Sequence, residues 1–214
     1  MKRSHYISYQ NGLKQTAEQM AAVILLLLLW PLLLLVALAI RLDSKGNVLF
    51  CQQRLGKGKK EFTIYKFRTM KINHSGDKLR SEQDIRITRI GTILRKTSLD
   101  ELPQLINILI GDMGIIGPRP VLQDEFKPFK GHPVYEKRFN TLPGLFCTVD
   151  MSYRATATRE QQFQMDAEYV ENITFLSDMK IFGKVFINVL KRKNIYPVSQ
   201  KQQAEEIHRD TSVK

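Results

Sequence analysis

Cysteine is scarce in this chain. Cys51 and Cys147 are the only two in 214 residues, and neither stands in a CxxC or Cys/His spacing. Two cysteines make no disulfide framework, and the missing spacing argues against a zinc site. A reducing, cytosol-facing domain fits that usage. No internal repeat is visible. Acidic residues are the minority: 33 Lys and Arg face 21 Asp and Glu, for a net charge of +12. That excess draws the protein toward polyanions, whether nucleic acid, an anionic membrane surface or a phosphorylated substrate. No recognised nucleic-acid motif accompanies it, so no nucleic-acid partner is expected. At this length, one compact domain plus an appendage is the natural expectation.

What is present is unevenly spread. Ala21 to Ile40 is an unbroken apolar run, AAVILLLLLWPLLLLVALAI. At about 1.5 Å per residue, a helix of that length covers roughly 30 Å, the thickness of the hydrocarbon core. A single transmembrane helix is the plain reading. A cleaved signal peptide, ending at Ala37-Leu38-Ala39, is weaker because its core and its leading segment are both long. Pro31 falls at the midpoint, where it removes a backbone hydrogen bond and crowds the preceding turn, so the helix bends or breaks there. Each half then reaches about 15 Å, to the bilayer middle. Lys2, Arg3 and Lys14 precede the run, and Arg41, Lys45, Arg54, Lys57, Lys59 and Lys60 follow it. Cations at both ends favour keeping both ends in the cytoplasm. A helix that enters, bends at Pro31 and returns meets both constraints. A spanning helix would still leave the main domain inside.

Residues 47–70 read as a short β element, with two β-rich strips around Gly56-Lys57-Gly58-Lys59. Lys66-Phe67-Arg68 alternates cation and aromatic, which puts both cations on one face of a strand. Residues 72–84 are polar and read as a loop. A helix is expected to begin near Thr97 to Pro103 and stop at Gly111. Ser98 with Glu101 fits a capping box, Asp100 is an equally good cap, and Pro103 is tolerated in a first turn. Gly114 to Pro120 is a rigid, turn-rich strip offering one fixed guanidinium, Arg119, and a second Pro-Gly turn stands at Pro143-Gly144. Asp166 to Lys193 reads as helical. Its stripe of Phe175, Met179, Phe182, Phe186, Val189 and Leu190 has core packing as its default and a membrane-interface helix as the alternative. The tail from Ser199 reads as disordered.

Adjacent carboxylates at a helix start, with Arg86, Arg89, Arg95 and Lys96 just upstream, are an unusual constellation. A helix N-terminus favours anions, so it can hold a phosphate and keep a carboxylate ionised. An ionised carboxylate can attack phosphorus to give an acyl phosphate, and its neighbour could hold Mg²⁺. Capping remains the bland account of the same two residues. A membrane-tethered nucleic-acid binder would explain the charge, and a non-catalytic scaffold the anchor, but neither explains an acidic pair in a cationic setting.

Several blocks then occur in order: NVLFCQQRLGKGKKEFTIYKFRTM from Asn47, DIRITRIGTILRKTSLDELPQLINILIGDMGIIGPRP from Asp84, and MDAEYVENITFLSDMKI from Met165. Together with the proline-interrupted apolar run they resemble the bacterial sugar transferase family, monotopic phosphoglycosyl transferases that start glycan assembly, over roughly residues 15–190. The resemblance implies transfer of a sugar-1-phosphate from a UDP-sugar to undecaprenyl phosphate, giving the polyprenyl-diphosphate sugar and UMP through a covalent aspartyl intermediate. That step would initiate exopolysaccharide, capsule, O-antigen or glycoprotein glycan assembly. It implies Asp100 as nucleophile, Glu101 as its helper and Mg²⁺ ligand, Mg²⁺ as cofactor, and a re-entrant helix bent at Pro31. Lys66, Arg68, Arg95 and Arg119 fall at matching basic positions, which implies phosphate contacts, and Arg154 keeps a matching place.

The expected fold is α-rich α+β: a re-entrant membrane helix, interfacial amphipathic helices and a small β element around one active site. The expected division is an N-terminal cytoplasmic or interfacial segment 1–20, the membrane helix 21–40, a cytoplasmic-face catalytic domain 41–198 and a polar tail 199–214. The implied setting is the inner membrane of a bacterium, among its phospholipids, with a homo-oligomer left open. Two places depart from the family pattern. PGLFCTVDMSYR, from Pro143, stands where the family commonly has PGITGWAQVNGR, so Cys147, Asp150, Ser152 and Tyr153 replace Gly, Gln, Asn and Gly. That region is implied to take part in nucleotide-sugar recognition. Trp30 stands where serine often precedes the proline.

Overall fold

The computed structural model describes residues 12–71, 86–151 and 157–190. Arg154, the polar loop read at 72–84 and the tail from Ser199 lie outside the described residues. The chain opens with helix α1, Lys14–Asp43, which starts ahead of the apolar run and contains Pro31. The backbone is helical on both sides of the proline, so the helix does not break there. One stripe of α1, Ala22, Leu26, Leu29, Leu33, Val36 and Ile40, recurs at three- and four-residue steps and packs onto the domain along its length. The opposite face is left bare, with Leu27, Leu28, Leu34, Leu35 and Leu38 between 57% and 69% exposed.

Strands β1, Leu49–Leu55, and β2, Glu61–Phe67, form the expected antiparallel hairpin. β2 ends at Phe67, so Arg68 is outside it, and the alternation that would pair Lys66 with Arg68 on one face does not reach Arg68. Helix α2, Arg89–Thr97, was not resolved as an element of its own in the sequence; the Thr88 side chain caps it by accepting from the Gly91 N–H. Gly91 is required there, because a Cβ would lie 2.1 Å from the Thr69 carbonyl oxygen. After a tight turn comes helix α3, Gln104–Ile110, closed by Gly111 in the left-handed region. Asn107, fully buried, ties α3 to β2: Oδ1 accepts from the Tyr65 N–H at 3.0 Å and Nδ2 donates to the Thr63 carbonyl at 2.7 Å.

The two turn-rich strips meet. Strand β3, Gly114–Ile116, pairs in parallel with strand β4, Gly144–Phe146. The approach is close enough that a Cβ on Gly144 would lie 2.0 Å from the Gly117 nitrogen. Between them a short helix, α4, Gln123–Phe126, delivers Phe126 to an aromatic cluster with Phe139 and Phe163. The helix read at 166–193 is two: α5, Arg159–Glu171, and α6, Phe175–Leu190. Thr174 and Ser177 cause the break, since each side-chain oxygen accepts from the other's backbone N–H, at 2.8 and 3.0 Å, and starts α6 afresh.

The default of core packing for the α6 stripe is overturned. Phe175, Met179, Phe182 and Phe186 are exposed, while Asp178, Ile181 and Val185 face the core. Asp178 turns inward to meet Lys14 of α1 in a buried ion pair, and it accepts a hydrogen bond from the Tyr169 hydroxyl at 2.7 Å. The described chain is thus helix-rich, with two small sheets and one N-terminal apolar helix.

Candidate active site

Asp100 and Glu101 sit in a 3-10 turn, Leu99–Glu101, between α2 and α3. The expected capping box does not form. Ser98 is the C-cap of α2, with a left-handed backbone (φ 57), and neither Asp100 nor Glu101 caps α3, whose N-cap is Pro103 with no side-chain bond. A non-glycine residue in that region costs of order 1–3 kcal/mol and is held only by its surroundings. Here the Ser98 N–H bonds back to the Leu94 and Arg95 carbonyls and fixes the corner that presents the two carboxylates.

Asn107 holds α3 against β2, and this brings Lys66 across to the turn: its Nζ lies 2.7 Å from Glu101 Oε1. Arg95, in the last turn of α2, donates through Nε to Thr69 Oγ1 at 2.9 Å, and its charge acts on Asp100. Arg119, carried past β3 by the GPRP strip, brings Nη2 to 4.0 Å from Glu101 Oε1. The cleft so formed is lined by Lys66, Glu101, Arg119, Arg54 and Gln104, with the backbone around Gly144 as a wall. Burial is the main reason the Asp100 carboxyl is pushed up to about 6; the Glu101 charge adds to the rise, and Lys66 and Arg95 oppose it. Arg119 is held more firmly in its charged form, chiefly by Asp150, against the effect of burial.

Three of the sequence-expected basic residues, Lys66, Arg95 and Arg119, therefore converge on the acidic pair. Arg68 goes elsewhere. It is 5% exposed, and its guanidinium donates to the carbonyls of Ser44 (2.7 Å) and Lys45 (3.0 Å), tying the end of α1 to the end of β2. Pro31 lies in α1, outside the cleft, and Arg154 is outside the described residues. Sequence reading missed Arg54, Gln104 and Asn107. Two polar residues in the otherwise apolar stretch QLINILI were the available signal for Gln104 and Asn107, since a buried amide needs partners.

The model of the family described as bacterial sugar transferase matches residues 9–192 of the chain. This chain belongs to that family. Among curated relatives, the UDP-glucose:undecaprenyl-phosphate glucose-1-phosphate transferase of Caulobacter vibrioides is 39% identical over 192 residues, covering 86% of this chain and 72% of that protein. The exopolysaccharide production protein PSS of Rhizobium leguminosarum bv. phaseoli is 38% identical over 199 residues, 85% of this chain and 97% of that one. The UDP-N-acetylgalactosamine-undecaprenyl-phosphate N-acetylgalactosaminephosphotransferase of Aeromonas hydrophila is 38% identical over 184 residues, 83% of this chain but 44% of its own length. The chain thus spans less than half of that relative and nearly all of the Rhizobium one. The match takes in the apolar helix as well as the cleft, so the bacterial sugar transferase segment includes both.

Proposed function

We propose that this protein moves a sugar-1-phosphate from a UDP-sugar to undecaprenyl phosphate, through a covalent phospho-sugar on Asp100. The observation that carries the reading is the acidic turn itself: two adjacent carboxylates, released from capping, beside Lys66, Arg95 and Arg119, in a chain of the sugar transferase family. An Asp100 oxygen attacks the sugar-bearing phosphorus of the donor. The bond from that phosphorus to the oxygen bridging the two phosphates breaks, and UMP leaves with its electron pair. A phosphate oxygen of the lipid then attacks the same phosphorus, the acyl-phosphate bond breaks, and the Asp100 carboxylate is regenerated.

A carboxylate approaching a diphosphate meets strong repulsion, and the arginines and lysine offset it. Arg119 and Lys66 lie on the Glu101 side of the turn and Arg95 on the Asp100 side, so positive charge surrounds the reacting phosphorus. Among the described residues no three His, Cys, Asp or Glu side chains converge as a metal cage. Mg²⁺ requires none, because it binds through one or two carboxylates together with substrate phosphates. Burial first, and the adjacent Glu101 charge second, raise the Asp100 carboxyl, and such a dication, which Asp100 and Glu101 would hold, would offset both. When bound it would neutralise charge on the donor's diphosphate.

The membrane setting belongs to the same proposal. Besides the bare face of α1, α3 exposes Ile106, Leu109 and Ile110, and α6 exposes its own aromatic face. Apolar surface of that extent is costly in water, and lipid is the natural cover. We read α1 as a re-entrant helix that dips into the cytoplasmic leaflet of the inner membrane, with the cleft on the cytoplasmic side.

Mixing the protein with donor and Mg²⁺, but no lipid acceptor, tests the mechanism. UMP release should approach one equivalent per active site, and acid-quenched protein should carry the sugar phosphate on the peptide containing Asp100. Asp100→Asn should abolish both signals, because an amide is a very poor nucleophile. A panel of UDP-sugars that includes glucose and N-acetylgalactosamine donors identifies the substrate. Strict dependence of UMP release on the lipid, with no adduct, would establish direct attack by the lipid phosphate instead.

A further inference from the structure

Against Arg119 of the cleft lies a buried carboxylate for which the transfer chemistry has no use. Asp150 is 5% exposed, and its two oxygens lie 3.2 and 3.4 Å from Nη1 of Arg119. Nη2 of the same guanidinium is the atom 4.0 Å from Glu101 Oε1. One edge of the fork is thus occupied by a buried acid, and the other is turned toward the acidic turn. The arrangement is anchored at its back. The Asp150 N–H donates to the Cys147 carbonyl at 3.1 Å. Asn188 of α6 donates to the carbonyls of Asp150, at 3.2 Å, and Met151, at 2.9 Å. The main chain of Arg119 is also held, because Arg138 donates to its carbonyl while pairing with the buried Asp166 at 3.2 Å. Asp150 moreover stands where the family pattern quoted above has a neutral glutamine, so in this chain the hold on Arg119 is an ion pair.

We propose that Asp150 is a positioning residue: it fixes one edge of the Arg119 guanidinium so that the other edge meets the donor diphosphate beside Glu101. The inference rests on the transfer reading above. Its physical basis is that an arginine side chain carries large rotamer entropy, and a fork aimed before the substrate arrives needs no reorganisation during reaction. A competing account would have Asp150 simply neutralise Arg119. The two differ in sign. A neutraliser weakens the grip on the diphosphate, so its removal tightens binding, whereas removing a positioner loosens it.

A double-mutant cycle between Asp150 and Arg119, on the full chain reconstituted in lipid, separates these outcomes. Affinity for UDP with Mg²⁺ is measured by calorimetry, and turnover with the active donor. Asp150→Asn should weaken UDP binding several-fold and lower kcat/KM by about tenfold, as expected for losing one aimed charged contact. Asp150→Glu should recover part of both. In an Arg119→Ala background Asp150→Asn should change neither, since there is no fork left to aim. Equal losses with and without Arg119 would mean a general structural role, and tighter binding would mean a neutraliser; either overturns the proposal, as does wild-type behaviour of Asp150→Asn. If Asp150→Asn does not fold, Asp150→Gln carries the same comparison. A wild type that binds UDP yet turns over no donor sinks the transfer reading, and the UDP cycle still decides Asp150. A wild type that binds no UDP overturns both.

Discussion

Lys66, Arg68, Arg95 and Arg119 are four cations in family blocks of the sequence, and the fold gives them different work. Arg68 spends its guanidinium on two backbone carbonyls at the end of α1, where no ligand is needed to explain it. Arg95 spends only Nε on Thr69 and keeps its charge near Asp100. The substitutions should therefore separate cleanly. Arg68→Ala removes charged hydrogen bonds from a buried joint and should cost roughly 1.5–3 kcal/mol of stability. A denaturant titration would register it. Arg95→Ala should leave the unfolding midpoint close to wild type and lower turnover by roughly 10- to 100-fold, the rate equivalent of losing a charged contact in the transition state. Turnover within about twofold of wild type would remove Arg95 from the site. The sequence could not make this distinction, because a basic residue at a strand end looks the same whether it binds phosphate or a carbonyl.

Elements were legible where local chemistry decides them. The hairpin at Leu49–Leu55 and Glu61–Phe67, the stop at Gly111 and the acidic pair near a helix start all follow from turn residues and β-branched runs. Elements decided by tertiary contact were less so. The Ser98 to Glu101 spacing satisfies the capping-box pattern, but the left-handed Ser98 belongs to the end of α2 and rotates the acids away from α3. The α6 periodicity was visible, yet a 3.6-residue stripe has the same form whether protein or lipid covers it. The decisive inward residue was Asp178, a charge that pattern reading assigns to solvent. Asn107 is the clearest test of what holds the elements. Asn107→Leu fills the space but leaves the Thr63 carbonyl and the Tyr65 N–H without their partner. Each lost partner costs about 1–3 kcal/mol, so for the two a loss of roughly 2–6 kcal/mol is expected. Because β2 then slips against α3, the Lys66–Glu101 contact should loosen, and residual activity should fall further than in a variant of equal stability mutated in the aromatic cluster around Phe163. Equal activity in the two would mean that the α3–β2 joint does not set the cleft.

At the scale of the whole molecule, the question is how a helix apolar enough to cross a bilayer is joined to its domain. Length and hydropathy leave spanning and re-entry open. The polar contacts at its two ends narrow the choice. Near its start, Lys14 pairs with Asp178, and Glu18 accepts from the Ile116 N–H at 3.1 Å. At its finish, Asp43 accepts from the Ile90 N–H at 3.0 Å. All three partners belong to the same domain, and the stripe between them packs on that domain too. A perpendicular span would carry one end roughly 30 Å away, across the hydrocarbon, and would expose one set of these charged contacts to lipid or break it. A helix that stays docked and dips its bare face into one leaflet keeps both sets, and cations at either end favour the cytoplasmic side. Thiol labelling in intact cells tests this. Cys147 is buried and Cys51 exposed, so only Cys51 need be replaced for a silent background. Single cysteines introduced at Lys2 and at Lys45 should then both be shielded from an impermeant reagent, and both should react once the cells are opened. Labelling of the Lys2 position alone in intact cells would place the N-terminus outside. The contacts of Lys14 and Glu18 could not then form in the membrane-bound protein, and α1 would be a true span.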